Sequence, residues 1–356
     1  MSNYRKILLS LLLLIIGGGA YLKLSAAPAA QPVLRLVFGS RDYPVDGLGG
    51  VDFPSKGFNR VTFATEQSNR FYVLTSEQNS AEKEPTIQIL TFDADSTTKH
   101  VVPLRRQDGR LIRHLCYFFS ASPTGRHLWI AHRPYESQVD AKEGNTPKAI
   151  LGVHDQSGKC LQEWVMNQTV EDILLVQAVG ESKVYTIDGG GQILVYEVGQ
   201  KPKEVSLPYL YTTPNALVTQ EAQFVGLKAS SDGQVKALVA KPNQSSFVFT
   251  TFQWFPKGSL PSLFWYDSQL GLFVYQYLEN EDGNLRKDKA KTVYRVAPDG
   301  TVHKLFETPD VLQSKPGQTV RAGQLLKADA YFAWMEVEYW KDKRMTEYQI
   351  VKVPIS

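Results

Sequence analysis

The stretch that decides the fold is Ser120-Ala121-Ser122-Pro123-Thr124-Gly125-Arg126-His127-Leu128-Trp129-Ile130-Ala131-His132. The turn Pro123 to Arg126 separates two short runs rich in apolar and aromatic residues. Leu115-Cys116-Tyr117-Phe118-Phe119-Ser120-Ala121-Ser122 precedes it, and His127 to His132 follows. Such runs, bounded by Pro and Gly, read as strands rather than as turns of a helix. Downstream, Ala149-Ile150-Leu151-Gly152-Val153-His154 meets the turn Asp155-Gln156-Ser157-Gly158. Lys159-Cys160-Leu161-Gln162-Glu163-Trp164 then closes a four-strand unit.

Working outward, the same layout recurs at 171–208, through Ile173-Leu174-Leu175-Val176, Lys183-Val184-Tyr185-Thr186, Gln192 to Glu197 and Lys203 to Ser206. Similar units span 59–104, 221–256, 261–308 and 322–353, with the register of 221–256 the least defined. Units of roughly 40 to 50 residues are the size of propeller blades. No amphipathic helix of three turns interrupts them. Asp108-Gly109, Ser157-Gly158, Asp188-Gly189, Asp232-Gly233, Asp282-Gly283 and Asp299-Gly300 punctuate the runs, as tight hairpins require. The reading is all-β: a β-propeller of six blades. The last unit lacks a fourth strand, and Val33 to Phe38 is a spare one that completes it and closes the ring. Paired β-sandwiches are the alternative architecture.

The 120–132 stretch resembles the repeat of exported bacterial β-propellers of the lactonase-like and TolB-like group. Their blades carry a Ser-Pro-Asp-Gly-Lys/Arg turn before an aromatic strand. Thr124 stands where Asp is usual, and Asp232-Gly233-Gln234 and Asp299-Gly300-Thr301 are partial echoes. The resemblance implies an architecture and brings no catalytic residue with it.

The N-terminus reads as an export signal. Arg5 and Lys6 precede the apolar run Ile7 to Leu22, and small residues lead to Ala27-Pro28-Ala29, which fits an A-x-A cleavage site. The rival is an uncleaved anchor, although Ile7 to Leu22 makes only about 24 Å of helix against a bilayer core of about 30 Å. Either way the body is exported, to the periplasm or beyond, and the membrane is touched only through this segment. Residues 1–29 are taken as signal peptide or anchor, 30–32 as a linker and 33–356 as the propeller domain.

The 356 residues carry 39 basic and 36 acidic side chains. Arg5, Lys6 and Lys23 lie in the leader, so the body is neutral and lacks the electrostatic footprint of a nucleic-acid binder. The most basic run, Arg286-Lys287-Asp288-Lys289-Ala290-Lys291, is expected to be a solvated hairpin loop. Cys116 and Cys160 fall in the first and fourth strands of one blade, about 14 Å apart at about 4.8 Å per strand. That is too far for a disulfide, so both are expected to be free thiols.

Chemistry is harder to find. There is no H-E-x-x-H, G-x-S-x-G, Walker loop or C-x-x-C. Gly189-Gly190-Gly191 is followed by a strand rather than the helix that a phosphate loop needs. His132 and His154, near the ends of adjacent strands, are the candidate metal ligands, weighed against ordinary hydrogen-bonded histidines. Trp254, Phe255 and Trp265 are the candidate ligand-binding residues, aromatics around one loop that suit sugar or peptide contact. Most other aromatics are expected to pack between blades. The expected function is an extracytoplasmic binding or scaffold module for an envelope protein, a peptide or a carbohydrate. The alternative is a metal-dependent lactonase-like hydrolase or quinoprotein-like dehydrogenase acting in the axial channel. No cofactor is identified.

Overall fold

The computed structural model describes residues 29–37, 60–64, 70–77, 86–93, 100–112, 116–133, 148–170, 172–206, 216–254, 260–342 and 344–355. Among the described residues, twenty-four strands form six four-stranded antiparallel sheets. The first strand, β1 (Gln31–Val37), stands apart from its sequence neighbours. Blade 1 is β2 (Arg60–Phe63), β3 (Arg70–Glu77), β4 (Thr86–Asp93) and β5 (His100–Pro103). Blade 2 is β6 (Cys116–Ala121), β7 (Leu128–His132), β8 (Lys148–His154) and β9 (Cys160–Thr169). Blade 3 is β10 (Ile173–Val179), β11 (Lys183–Asp188), β12 (Ile193–Glu197) and β13 (Lys203–Val205). Blade 4 is β14 (Ala216–Val218), β15 (Phe224–Ala229), β16 (Gln234–Ala240) and β17 (Phe247–Gln253). Blade 5 is β18 (Ser262–Asp267), β19 (Gly271–Tyr277), β20 (Lys291–Val296) and β21 (Val302–Glu307), followed by the one-turn helix α1 (Thr308–Val311). Blade 6 is β22 (Thr319–Ala328), β23 (Phe332–Lys341) and β24 (Arg344–Pro354), with β1 as its fourth strand.

The protein is therefore a six-bladed β-propeller closed by its N-terminal strand. β1 runs antiparallel to β24, with Gln31 opposite Lys352 and Val37 opposite Glu347. Two details differ from the sequence reading. Gln31 and Pro32, assigned to a linker, already belong to β1. Blade 4 begins at Ala216, five residues ahead of the unit drawn at 221–256, because its first strand has only three residues and no signature of its own.

Six apolar clusters lie one at each seam between blades, which is why the strands read as nearly continuous hydrophobic runs. Along β3, Tyr72 and Leu74 pack toward blade 2, whereas Phe71 and Val73 pack toward blade 6. Successive side chains of a strand point to opposite faces, so a sheet sandwiched between neighbours is apolar on both. The first strands of the sheets lie beside one another, β2 by β6, β6 by β10, β14 by β18 and β18 by β22. They are the innermost strands, around the axis.

This topology gives the disc two unlike faces. Inner strands run from a loop face to a turn face. The loop face holds the connections from Tyr277 to Lys291 and Glu307 to Thr319, and the strand ends Val37, Arg60, His132 and Lys148. On the turn face sit short links such as Ala121 to Leu128 and Val179 to Lys183. At the rim, the turns into the outer strands of blades 2, 3 and 4 dock on the blade before. Arg105 N–H donates to Gly158 O at 3.0 Å, Asn243 N–H to Ser206 O at 3.3 Å, and Gly199 N–H to Gln162 Oε1 at 2.8 Å. For blade 6 that place is taken by Ala30, whose N–H donates to Val311 O at 3.0 Å.

Candidate functional site

The Ser122–Gly125 turn is a joint rather than a site. Gly125 has φ +72°, and a Cβ there would fall 1.9 Å from Tyr72 Oη of blade 1. Gln156 Nε2 donates to Gly125 O at 3.1 Å. From blade 3, the Glu181 carboxylate accepts the Ser122 hydroxyl at 3.2 Å, the Thr124 hydroxyl at 2.7 Å and the Thr124 N–H at 2.9 Å. His127 Nδ1 meets Glu181 O. Burial alone raises the Glu181 pKa, but the bonds from Thr124 and Ser122 outweigh it and hold it below the ordinary value. Ser, His and Glu are adjacent here, yet the serine hydroxyl donates to the carboxylate and accepts the His127 N–H. The cluster fastens three blades and offers no activated nucleophile.

The structure does not bring the two histidines together as a ligand pair. His132 pairs with Ile150 and His154 with Leu128. They share a face of blade 2 but sit four register positions apart, about 13 Å along the strands. His132 Nδ1 is 2.9 Å from Arg133 O, and His154 Nε2 is 3.1 Å from Arg105 O. The His154 ring leans over Gly152, where a Cβ would lie 2.8 Å from its Cε1. Burial, with the charge of His132, lowers the His154 pKa to about 4, so it is a neutral imidazole fastening blade 2 to the exit of blade 1. Among the described residues no group of three or more His, Cys, Asp or Glu is placed to hold a metal ion. Cys160 is a buried free thiol that burial pushes up to about 12, at the end of the blade opposite Cys116.

Nor are the aromatic candidates one surface. Trp254 is buried at the blade 4–5 seam, edge-on to Phe252 at 6.3 Å and Tyr294 at 5.1 Å. Phe255 lies outside the described residues. A bulge between Leu263 and Trp265 breaks the alternation of β18. It leaves Leu263 and Tyr266 with Trp254 and turns Trp265 to the blade 5–6 side. There Trp265 reaches past blade 6 to Phe63 of blade 1, with ring centroids 5.6 Å apart. Lys327 of blade 6 completes this junction, its Nζ 5.3 Å from the Phe63 ring and 4.4 Å from that of Trp334. Three blades thus crowd aromatic rings near the turn-face end of the axis.

The most unusual polar chemistry was not foreseen. Lys291, the end of the run expected to be solvated, is buried at 2% exposure. Its Nζ donates to Ala322 O and Gly323 O, each at 2.8 Å, and to Lys289 O at 3.0 Å, with the Tyr277 ring 5.0 Å away. The register of β22 shifts between Ala322 and Leu325. Lys291 binds this bulge by its carbonyls, while Glu336 Oε2 accepts the Gln324 N–H at 3.0 Å. Gly323 is required there, since a Cβ would fall 2.6 Å from that of Glu336. Glu336 Oε1 also takes the Tyr348 hydroxyl at 3.0 Å. Burial pulls Lys291 down to about 8. Beside this bulge, at the blade 5–6 seam, lies a cleft of about 280 Å³ between α1 and the start of β22. Pro309, Leu312, Val320 and Ala322 form its apolar walls, and Thr308 and Gln318 bring polar groups. The one sequence signal was Thr308-Pro309, which starts a helical turn where the repeat expects only a connection.

No protein-family model matches the sequence, and a search of curated proteins finds no match. Similar solved structures are propellers of other proteins. The β-propeller domain of the trilobed protease from Pyrococcus furiosus is 8% identical over 82% of each chain, with a TM-score of 0.42. A Trypanosoma rangeli sialidase is 11% identical over 93% of this chain and 60% of its own, with a TM-score of 0.48. YCF48 from Cyanidioschyzon merolae is 13% identical over 85% of this chain and 97% of its own, with a TM-score of 0.41. At these values the likenesses carry no argument about chemistry.

Proposed function

We propose that this chain is an extracytoplasmic β-propeller that works as a binding or scaffold module, with an envelope protein or peptide as its partner. The observation that carries the reading is the composition of the inner strands. Among β2, β6, β10, β14, β18 and β22 the charged residues are Arg60, Arg321 and Lys327, with Asp267 as the one acid. Asp267 is occupied in a turn, where its Oδ1 accepts the N–H groups of Gln269 at 2.8 Å and Leu270 at 2.9 Å. A divalent metal asks for converging carboxylates, imidazoles or amides. These strands carry no histidine, one acid and the two amides Gln177 and Gln324, among residues that are mostly apolar. Export rests on Arg5, Lys6 and the apolar run after them. Kinship with the lactonase-like and TolB-like propellers rests on the 120–132 stretch alone.

The test is native mass spectrometry of the exported protein, purified without chelators or reducing agent. The module reading expects the polypeptide mass with no stoichiometric divalent metal or quinone. A stoichiometric metal would favour the lactonase-like or quinoprotein-like enzyme, and mutagenesis would start at its ligands.

A further inference from the structure

The cleft at the blade 5–6 seam opens on an unpaired edge of β22. Ala322 turns its backbone away from β23, since its N–H donates to Asp288 O at 3.2 Å and its carbonyl accepts from Lys291 Nζ at 2.8 Å. In an antiparallel ladder residues two apart turn the same way, so the N–H and C=O of Val320 face this edge too. No partner meets them among the described residues. Val320, Ala322 and Asp288 all line the cleft. Beside them, Gln318 Oε1 is buried without a hydrogen-bond partner. Thr308 is buried as well, and its hydroxyl accepts the Lys291 N–H at 2.9 Å, which leaves its own proton to donate. We propose that the cleft takes an uncharged, extended peptide segment of a partner protein. The segment lies along the start of β22, with one aliphatic side chain between Pro309, Leu312 and Val320.

The lining decides the chemistry. Its described residues include no basic side chain to hold a phosphate or a carboxylate. They include no aromatic ring on which a sugar or another flat ring could stack. Asp288 is the one charge, and both of its oxygens are engaged, Oδ2 by Arg286 at 2.5 Å and Oδ1 by the Ala290 N–H at 2.9 Å. A cation therefore meets no free carboxylate. Room is limited too, since about 280 Å³ falls just below the range of about 300 to 1,000 Å³ that holds whole small ligands. One aliphatic residue with its flanking amides suits such a space. Those amides supply the N–H that Gln318 Oε1 lacks, the carbonyl that the Thr308 proton can reach, and main-chain partners for Val320. Polar groups left dry and unpaired are costly, so a peptide is preferred over a bare hydrocarbon. This inference rests on the module reading and gives it a place of contact.

The test is selection of a random heptapeptide library, displayed on phage, against the full chain in detergent micelles. The expected survivors carry no charge and share one Leu, Ile, Val or Met. Synthetic survivors should bind about ten-fold more weakly once the amide of that residue is N-methylated, as loss of one hydrogen bond to a buried group does. Val320→Trp fills the cleft and should abolish binding. Gln318→Leu should weaken binding about ten-fold while leaving stability in urea unchanged or raised, because it removes a buried acceptor with no partner in the free protein. Those two readouts separate a contact from a structural role. Should Val320→Trp lose its cooperative unfolding transition, Gln318→Leu decides alone. A charged or aromatic consensus, no enrichment over the Val320→Trp chain, or binding indifferent to both substitutions would overturn the proposal. So would self-association that Val320→Trp abolishes, which would give the cleft to a second copy of this chain. A stoichiometric metal in the native spectrum sinks the module reading itself, so the two failures are distinguishable.

Discussion

Two joints of the propeller are built on opposite principles. At the Ser122–Gly125 turn, short polar side chains and backbone groups meet a carboxylate that stays half-exposed, and the ionised form is the favoured one. At the blade 5–6 seam a full positive charge is taken out of water and held by three carbonyls, and the ionised form is disfavoured. The first joint draws stability from its charge. The second spends stability to fix an irregular inner strand, since a buried cation recovers its desolvation only in part. A bulge that costs this much to keep is a better pointer to function than a turn that any blade can use.

The comparison breaks first at Gly125. Gly125→Ala puts a methyl into the Tyr72 hydroxyl at a positive φ, and should cost at least about 3 kcal/mol in urea unfolding. A loss below about 1 kcal/mol would mean that the turn is not clasped from blade 1.

The second test is alkaline. Burial lowers Lys291 to about 8, and Lys327 likewise, from 10.5. Between these values the unfolded chain binds more protons, so stability should rise as pH climbs from about 8 toward 10, by roughly 2 to 3 kcal/mol per lysine. Above that range the buried tyrosines, whose pKa values burial raises, oppose the trend. Lys291→Met and Lys327→Met should each flatten the rise, as denaturation at stepped pH would show.

His154 sharpens the contrast from the acid side. It stays neutral in the fold down to about pH 4, while the unfolded imidazole takes up its proton near 6.5. Stability should therefore fall on acidification, by roughly 2 kcal/mol between pH 7 and 5. His154→Gln should remove that slope. The smallest effect belongs to the favourable joint. Glu181→Gln keeps the shape but loses charge-assisted bonds, and a drop of about 1 kcal/mol in urea unfolding is expected.

What the sequence made legible follows from period and turn chemistry. The Asp-Gly and Ser-Gly turns sit where expected, with positive φ at Gly109, Gly158, Gly233, Gly283 and Gly300. At Asp188-Gly189-Gly190-Gly191 the left-handed residue is Gly191 instead, because its N–H and that of Gln192 both return to Asp188. The spare N-terminal strand was legible because the last unit was one strand short. The site was not legible, because bulges are set by tertiary contacts. The bulge in β18 sends Trp265 away from Trp254, and strict alternation could not foresee it. Nothing in Arg286 to Lys291 announces that its final lysine points inward to carbonyls 31 and 32 residues ahead. The two histidines share a face of blade 2 but lie at opposite ends of it, because each is the last residue of one of two consecutive antiparallel strands.

The pairing of β1 with β24 has a kinetic side. Among the described strands, β1 is the first to leave the ribosome and its partner β24 is the last. Until Arg344 to Pro354 arrives, β1 is an unpaired edge, and every blade after it must form without a closed ring. Contacts so distant in sequence form late and slowly, and the waiting edge is open to wrong partners. Folding of this propeller should therefore end, rather than begin, at its N-terminus.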